Sequence, residues 1–209
     1  MLTYMRIMKM KKTIAIASAL LGAFGCSAES AAPADKVAVQ PSRVLVAYYS
    51  WSPSGNTRHF AEQIQKVTGG TLYEIKLRTP YPAAYSECVE QVKKEVREDF
   101  KPELAGTVEN FGQYDVVFVG SPNWWGTVSR PVASFYSACD FAGKTVIPFF
   151  TNGGGGMQNC EKDARRLLQH DAKKAPRTIL PARTYSGAAV HRADKEIAEW
   201  VNSMLELKP

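Results

Sequence analysis

A chain of 209 residues that is 45% apolar and 22% charged carries enough apolar material for one domain of ordinary size, and it needs no disulfide or metal to staple its fold. The formal charge of +6 falls to +2 once Arg6, Lys9, Lys11 and Lys12, all within the first 25 residues, are set aside. The remainder holds no Lys/Arg cluster interleaved with aromatics, which excludes a basic nucleic-acid footprint.

Lys9, Lys11 and Lys12 precede Thr13 to Phe24, an apolar run too short to span a bilayer and suited to the hydrophobic region of an export signal. The run ends Leu21-Gly22-Ala23-Phe24-Gly25-Cys26, which resembles a bacterial lipobox, in which the Cys after a small residue is lipidated and becomes the new N-terminus. Gly25 and Cys26 fit that pattern, while Ala23 and Phe24 depart from it. Ordinary signal-peptidase cleavage near Cys26-Ser27-Ala28 is the alternative. Both predict a signal peptide over 1–25, and a tether rich in Ala, Pro and Ser over 26–42, lipid-anchored or flexible. The domain over 43–209 is then exported to the bacterial cell envelope, anchored at Cys26 or released into the periplasm.

Val44 to Tyr49 is a continuous apolar run with β-branched and aromatic residues, as expected of a strand buried on both faces. Asn56 to Val67 follows with helical spacing at Phe60, Ile64 and Val67 and stops at Gly69-Gly70. Thr71 to Lys76 reads as the second strand, and Ala84 to Asp99 as an amphipathic helix with Tyr85, Cys88, Val92 and Val96 inward. Asp115 to Gly120 is the third strand, followed by a short helix from Pro131 to Cys139. Thr145 to Phe150 is the fourth, with Pro148 awkward for a central position. A helix over Met157 to His170 leads to a weak fifth strand at Thr178 to Leu180, continued near Ala188 to Val190. A last helix over Asp194 to Leu205 closes the chain. Regular alternation of strand and helix predicts a doubly wound, five-stranded parallel sheet in the order 2-1-3-4-5 as a single domain, with ligands beyond the carboxyl ends of the strands.

Chemistry is then expected in the loops after strands one, three and four. The first holds Ser50, Ser52, Ser54, Gly55, Asn56 and Thr57 at a strand-to-helix turn, where free N–H groups and hydroxyls can seat a phosphate. A simple helix cap needs one such residue, and this loop offers six. The absence of Lys there excludes a Walker A loop. The second is Pro122-Asn123-Trp124-Trp125-Gly126, whose adjacent indoles can stack a flat aromatic ligand or pack inward. The third is Thr151-Asn152-Gly153-Gly154-Gly155-Gly156, where backbone can approach a ligand closely. Gln158 stands where G-x-G-x-x-G would need its last glycine, so a dinucleotide fingerprint is not met.

The stretch VLVAYYSWSPSGNTRHFAEQI resembles the phosphate loop of the flavodoxin family, S/T-x-T/S-G-N-T between strand and helix, lengthened by Ser52-Pro53. The Trp-Trp segment and the T-x-G-G-x-G loop resemble the family's flavin-ring loops, and TPYPAAYSECVEQVKKEV and FKPEL are similar to one of its subgroups. The resemblance covers Arg43 to Leu207. It implies a flavodoxin-like fold, non-covalent FMN held by the three loops, and electron or hydride transfer on the flavin with no catalytic side chain. The implied activity is reduction of a small acceptor such as a quinone, with NAD(P)H or a redox protein as donor. The alternatives are an electron shuttle between proteins and a binding module that has lost its flavin. Shuttles of this family are usually strongly acidic, and this domain is near neutral, which favours the reductase.

Cys88, Cys139 and Cys160 are read as core thiols, with no C-x-x-C among them. His59, His170 and His191 carry no spacing that suggests a metal, and Ser121 lacks the G-x-S-x-G setting of a hydrolase.

Overall fold

The computed structural model describes residues 36–208. The export signal, Cys26 and the first part of the expected tether lie outside them. The strands and helices run β1 (Val37–Val39), β2 (Val44–Tyr48), α1 (Asn56–Thr68), β3 (Thr71–Glu74), α2 (Tyr85–Arg97), β4 (Val116–Trp124), β5 (Thr127–Val128), α3 (Arg130–Ala138), β6 (Thr145–Asn152), α4 (Cys160–Leu168), β7 (Thr178–Ile179), β8 (Arg183–Ser186), α5 (Gly187–Val190), α6 (Asp194–Met204) and β9 (Leu205–Leu207). The central sheet has the order β3-β2-β4-β6, with β7 and β8 in succession along the free edge of β6. Every pairing is parallel except that of β5 with β4.

Burial on both faces follows from the alternation within each strand. Leu45, Ala47, Val117, Val119, Val146 and Phe150 point to a core shared with Cys88 and Val92 of α2, Phe135 of α3 and Ala164 of α4. Val44, Val46, Tyr48, Val116, Phe118, Ile147 and Phe149 point the other way, onto Phe60 and Ile64 of α1 and Ile197 and Val201 of α6. Cys88, Cys139 and Cys160 are free thiols inside the first of these cores.

The structure departs from expectation in four places. The fifth strand is split: β7 and β8 both pair with β6, and the register moves by one residue between Val146↔Ile179 and Phe149↔Arg183. That step explains how Pro148 is tolerated in β6. The Val146 carbonyl accepts from the Leu180 N–H at 2.9 Å, so Pro148, two residues on, faces the same neighbour where its ladder is already interrupted. The expected continuation at Ala188 to Val190 is instead the helix α5. The third strand does not stop at Gly120 but runs to Trp124 and returns as β5, so the Trp-Trp segment is a hairpin. Finally, the stretch assigned to a tether is part of the fold from Val37: β1 pairs in parallel with β9, Val37↔Leu205 to Val39↔Leu207, and Pro41–Arg43 forms a 3-10 turn.

Candidate functional site

All three expected loops emerge at the carboxyl ends of neighbouring strands, β2, β4 and β6. In the first, Gly55 forms the N-cap of α1 and its N–H bonds to Ser52 O at 2.9 Å. Ser52 Oγ accepts from the Asn56 N–H at 3.2 Å. Ser54 Oγ donates to Asn56 Oδ1 at 2.9 Å. Thr57 is buried, with its Oγ1 2.7 Å from Thr151 Oγ1, so this hydroxyl ties the first loop to the third. Ser50 Oγ is buried with no partner among the described residues. A buried hydroxyl without a hydrogen bond is costly, so this atom marks a place where a polar ligand group is expected.

In the hairpin, Trp125 (φ 54) and Gly126 (φ 79) are the two central residues, both left-handed as a type I′ turn requires. Gly126 adopts this without strain, whereas Trp125 is a bulky residue in an unfavourable region. The two indoles part company here. Trp124 packs inward, with ring centroids 5.6 Å from Tyr49, 5.3 Å from Tyr81 and 6.4 Å from Trp51, all edge-on. Trp125 is 56% exposed, with Lys93 Nζ 5.7 Å from its ring centre. Pro122 stands in register with Thr151 of β6. Asn123 clasps the hairpin to the third loop: its Nδ2 donates to Gly156 O at 2.8 Å and Gln158 Oε1 at 3.1 Å, and its Oδ1 accepts from the Gly126 N–H at 2.9 Å.

Asn152 plays the matching part in the third loop. Its Oδ1 accepts from the N–H groups of Gly154 and Gly156 at 2.8 and 3.2 Å, and its Nδ2 donates to Thr184 Oγ1 of β8 at 3.0 Å. Gly153 and Gly154 are left as bare backbone beside two clefts. One, of about 750 Å³, is walled by Trp124, Trp125 and Gly126 on one side and by Tyr85, Cys88, Val89 and Val92 of α2 on the other. The second, of about 370 Å³, is walled by Ser54, Asn56 and Gly154 with Ser186, Gly187 and His191. Asn152 and Gly153 line both.

The clefts differ in chemistry. The larger is mainly apolar and aromatic. Burial pushes the Cys88 thiol up to about 11, with Glu95 adding to the effect, so that wall is uncharged near neutral pH. Burial also holds the Tyr49 and Tyr81 hydroxyls well above the ordinary phenol range, and Tyr81 further donates to Glu95. The smaller is lined by Ser54, Asn56, Asn152, Ser186 and His191 and lies against the N-terminus of α1, whose first N–H groups have no intrahelical acceptor. An elongated molecule with a flat ring at one end and an anion at the other fits this pair of clefts.

Of the positions named from the sequence, Ser54, Asn56, Asn123, Trp124, Trp125, Gly126, Asn152, Gly153 and Gly154 line one or other cleft, while Ser50, Ser52, Gly55, Thr57, Pro122 and Thr151 lie in the same three loops and line neither. The sequence reading missed the α2 wall because Tyr85, Cys88 and Val92 form an inward stripe, and the same stripe continues from core into cleft. It missed Ser186 and Gly187 because the fifth strand was expected to resume at Ala188 to Val190, and it assigned no chemistry to His191 just beyond.

The flavodoxin family profile matches residues 43–204. Among solved structures, the chain is similar to a provisionally named flavoprotein from Bacteroides uniformis ATCC 8492, at 29% identity and a TM-score of 0.65 over 78% of this chain and 99% of that one. It also shares its fold with a flavoprotein from Lactobacillus acidophilus NCFM solved in complex with FMN, at 22% identity and a TM-score of 0.57 over 72% and 97% of the two chains. A curated NAD(P)H dehydrogenase (quinone) from Cupriavidus metallidurans is 33% identical over 97 residues, 45% of either chain. The match therefore spans less than half the length of that relative.

Proposed function

Since the chain belongs to the flavodoxin family, we propose that it is an oxidoreductase that uses FMN to reduce a small acceptor such as a quinone, with NAD(P)H as donor. FMN is its cofactor. The observation that carries this reading is the convergence of the three loops on two clefts that share Asn152 and Gly153. When bound, FMN supplies the electron or hydride transfer; the protein supplies position and surroundings.

Ser50, Ser52, Ser54, Gly55, Asn56 and Thr57 would hold the phosphate, by hydroxyls and by the N-terminus of α1. Trp124, Trp125 and Gly126, with Pro122 and Asn123 behind them, would hold the ring. Thr151, Asn152, Gly153 and Gly154 would run along its edge. The exposed Trp125 leaves the mouth of the larger cleft open to a small planar acceptor, and the partial likeness to a quinone dehydrogenase supports that class of acceptor. The N-terminal sequence supports export to the cell envelope and lipidation at Cys26. Mass spectrometry of the native protein would then find residues 1–25 missing and a lipid on Cys26.

The test is direct. The purified apoprotein is titrated with FMN, FAD and riboflavin, and the loaded protein is then mixed with NAD(P)H and a water-soluble benzoquinone. The expected result is one FMN per chain, weaker riboflavin binding and quinone-dependent loss of NAD(P)H. FMN binding without any direct quinone reduction would make the protein a shuttle between redox partners. Equal affinity for riboflavin and FMN would remove the phosphate site.

A further inference from the structure

Beside the smaller cleft stands a group of side chains that the reading above does not use. His59 on α1 directs Nε2 to Asp194 Oδ1 on α6, at 2.8 Å. Its ring centre lies 4.5 Å from that of His191, which follows α5. His191 Nε2 in turn donates to Asn56 Oδ1 at 2.9 Å, the same oxygen that accepts from Ser54 Oγ. The Asn56 amide can lie here because residue 187 has no side chain: a Cβ on Gly187 would come within 2.3 Å of Asn56 Nδ2. His191 also forms part of the cleft wall opposite Gly153 and Gly154.

With Nε2 donating to an amide oxygen, Nδ1 is the position at which the His191 ring gains its second proton. The charged residues on the elements packed around it are Arg58, Glu62 and Lys66 on α1, Arg183 on β8, Arg192, and Asp194, Lys195, Glu196 and Glu199 on α6. Arg58 is paired with Glu74 at 2.7 Å and Lys195 lies 3.8 Å from Glu199. Of the whole set only Asp194 is bonded to either imidazole, and it holds His59. The acid is therefore matched to His59, and the charge His191 gains on protonation faces the cleft.

We propose that His191 is a phosphate-side residue of the cofactor site, placing a proton-dependent positive charge on the wall where the phosphomonoester of FMN sits, so that the grip on FMN tightens as His191 is protonated. This rests on the FMN reading above. The sign is fixed by simple electrostatics: a phosphate carrying nearly two charges at neutral pH is held more tightly beside a cation. Below about pH 6 the phosphate itself takes up a proton, so the effect is read in the window from about pH 6 to pH 8, where the phosphate keeps most of its charge.

The experiment is a titration of the full apoprotein with FMN and with riboflavin at several pH values across that window, for the parent and for His191→Gln, which keeps a donor for Asn56 but cannot become charged. Thermal melting checks that the variant folds. The parent is expected to lose FMN affinity severalfold between pH 6 and pH 8, the variant to bind more weakly at pH 6 with little pH dependence, and riboflavin to show no such slope in either. The chain has three histidines, so the variant also assigns the His191 ring signal in proton NMR, and that signal should move on adding FMN and stay on adding riboflavin. An FMN slope that persists in His191→Gln, or a His191 signal indifferent to FMN, overturns the assignment while leaving FMN binding intact. A parent protein that binds no FMN at all would instead overturn the reading on which it rests.

Discussion

At the amino ends of the central strands the polar groups close on one another. The Arg43 guanidinium grips Asp115 through two hydrogen bonds, the Thr145 N–H meets Asp115 O at 2.8 Å, and Lys144 Nζ donates to Tyr114 O at 2.6 Å. At the carboxyl ends of the same strands many close as well, through Asn123, Asn152 and the Thr57–Thr151 pair, but not all. Ser50 Oγ has no partner among the described residues, Trp125 and Gln158 hold left-handed backbone, and bare glycines line two clefts. Both edges belong to one sheet with one core on each face, so packing does not separate them. What separates them is whether each polar group is satisfied inside the chain. A closed edge adds to stability, and an open one keeps donors free for a ligand.

The sharpest challenge to this contrast is Trp124→Ala. Although Trp124 lies at the open edge and is only partly buried, it is packed among Tyr49, Tyr81 and Trp51, and its loss is expected to cost about 3 kcal/mol of stability in denaturant unfolding, the low end for a large aromatic. A loss under about 1 kcal/mol would mean that the inward packing carries little. Next comes Ser50→Ala. Removal of an unpartnered hydroxyl should leave apoprotein stability within about 0.5 kcal/mol of the parent and weaken FMN by about ten- to a hundredfold, the worth of one charge-assisted hydrogen bond. Unchanged FMN affinity would mean that the open edge is not open for this ligand.

Lys144→Met should do the reverse at the closed edge. It strips a donor from buried backbone carbonyls, with an expected stability cost of about 1–2 kcal/mol and no change in FMN affinity; any change in affinity would blur the division between the edges. Trp125→Asn puts a residue tolerant of left-handed backbone into the turn. It should be neutral or stabilising by up to about 1 kcal/mol in thermal melting of the apoprotein, and should raise the fluorescence of bound flavin, which an indole stacked on the ring would quench. The smallest effect is expected from Asp115→Asn. The hydrogen bond from Arg43 holds the Asp115 carboxyl below its ordinary value of 3.8. Its contribution is therefore present above about that pH and lost as pH falls through the lower folded value. Because the pair is half exposed, the variant should show only a slightly flatter acid limb of the stability curve.

Much of this was legible from the residues. Continuous apolar runs such as Val44 to Tyr49 can only be strands covered on both faces, and their alternation with helices left one natural sheet order. The three loops were legible because Ser, Gly, Asn and Trp are concentrated where a strand meets a helix. Three things were hidden. The β1–β9 pairing joins three-residue segments 168 positions apart in sequence, too short for periodicity to show. The hairpin at Trp125-Gly126 was masked because Trp takes the place where Asn is usual. The register step between β7 and β8 lies beside Pro148 of β6, a neighbourhood across strands that a linear reading cannot see. The site's second wall was hidden for a related reason: an apolar stripe does not announce where the core ends and a cleft begins.

The pairing of the first and last strands has a mechanical consequence. A pull on the chain ahead of Lys36 enters the protein through β1, which is zipped to β9 and closed by the Lys208 N–H on Val39 O at 2.9 Å. Because the strands run side by side, tension along β1 must slide it past β9 and load several bonds together rather than peel them one at a time. The load then passes through Val39 and Leu205 into the layer formed by α1 and α6. It also passes along the backbone through Pro41–Arg43 into β2, whose side chains reach both cores, whereas the Trp hairpin packs on the face of the sheet away from α1 and α6.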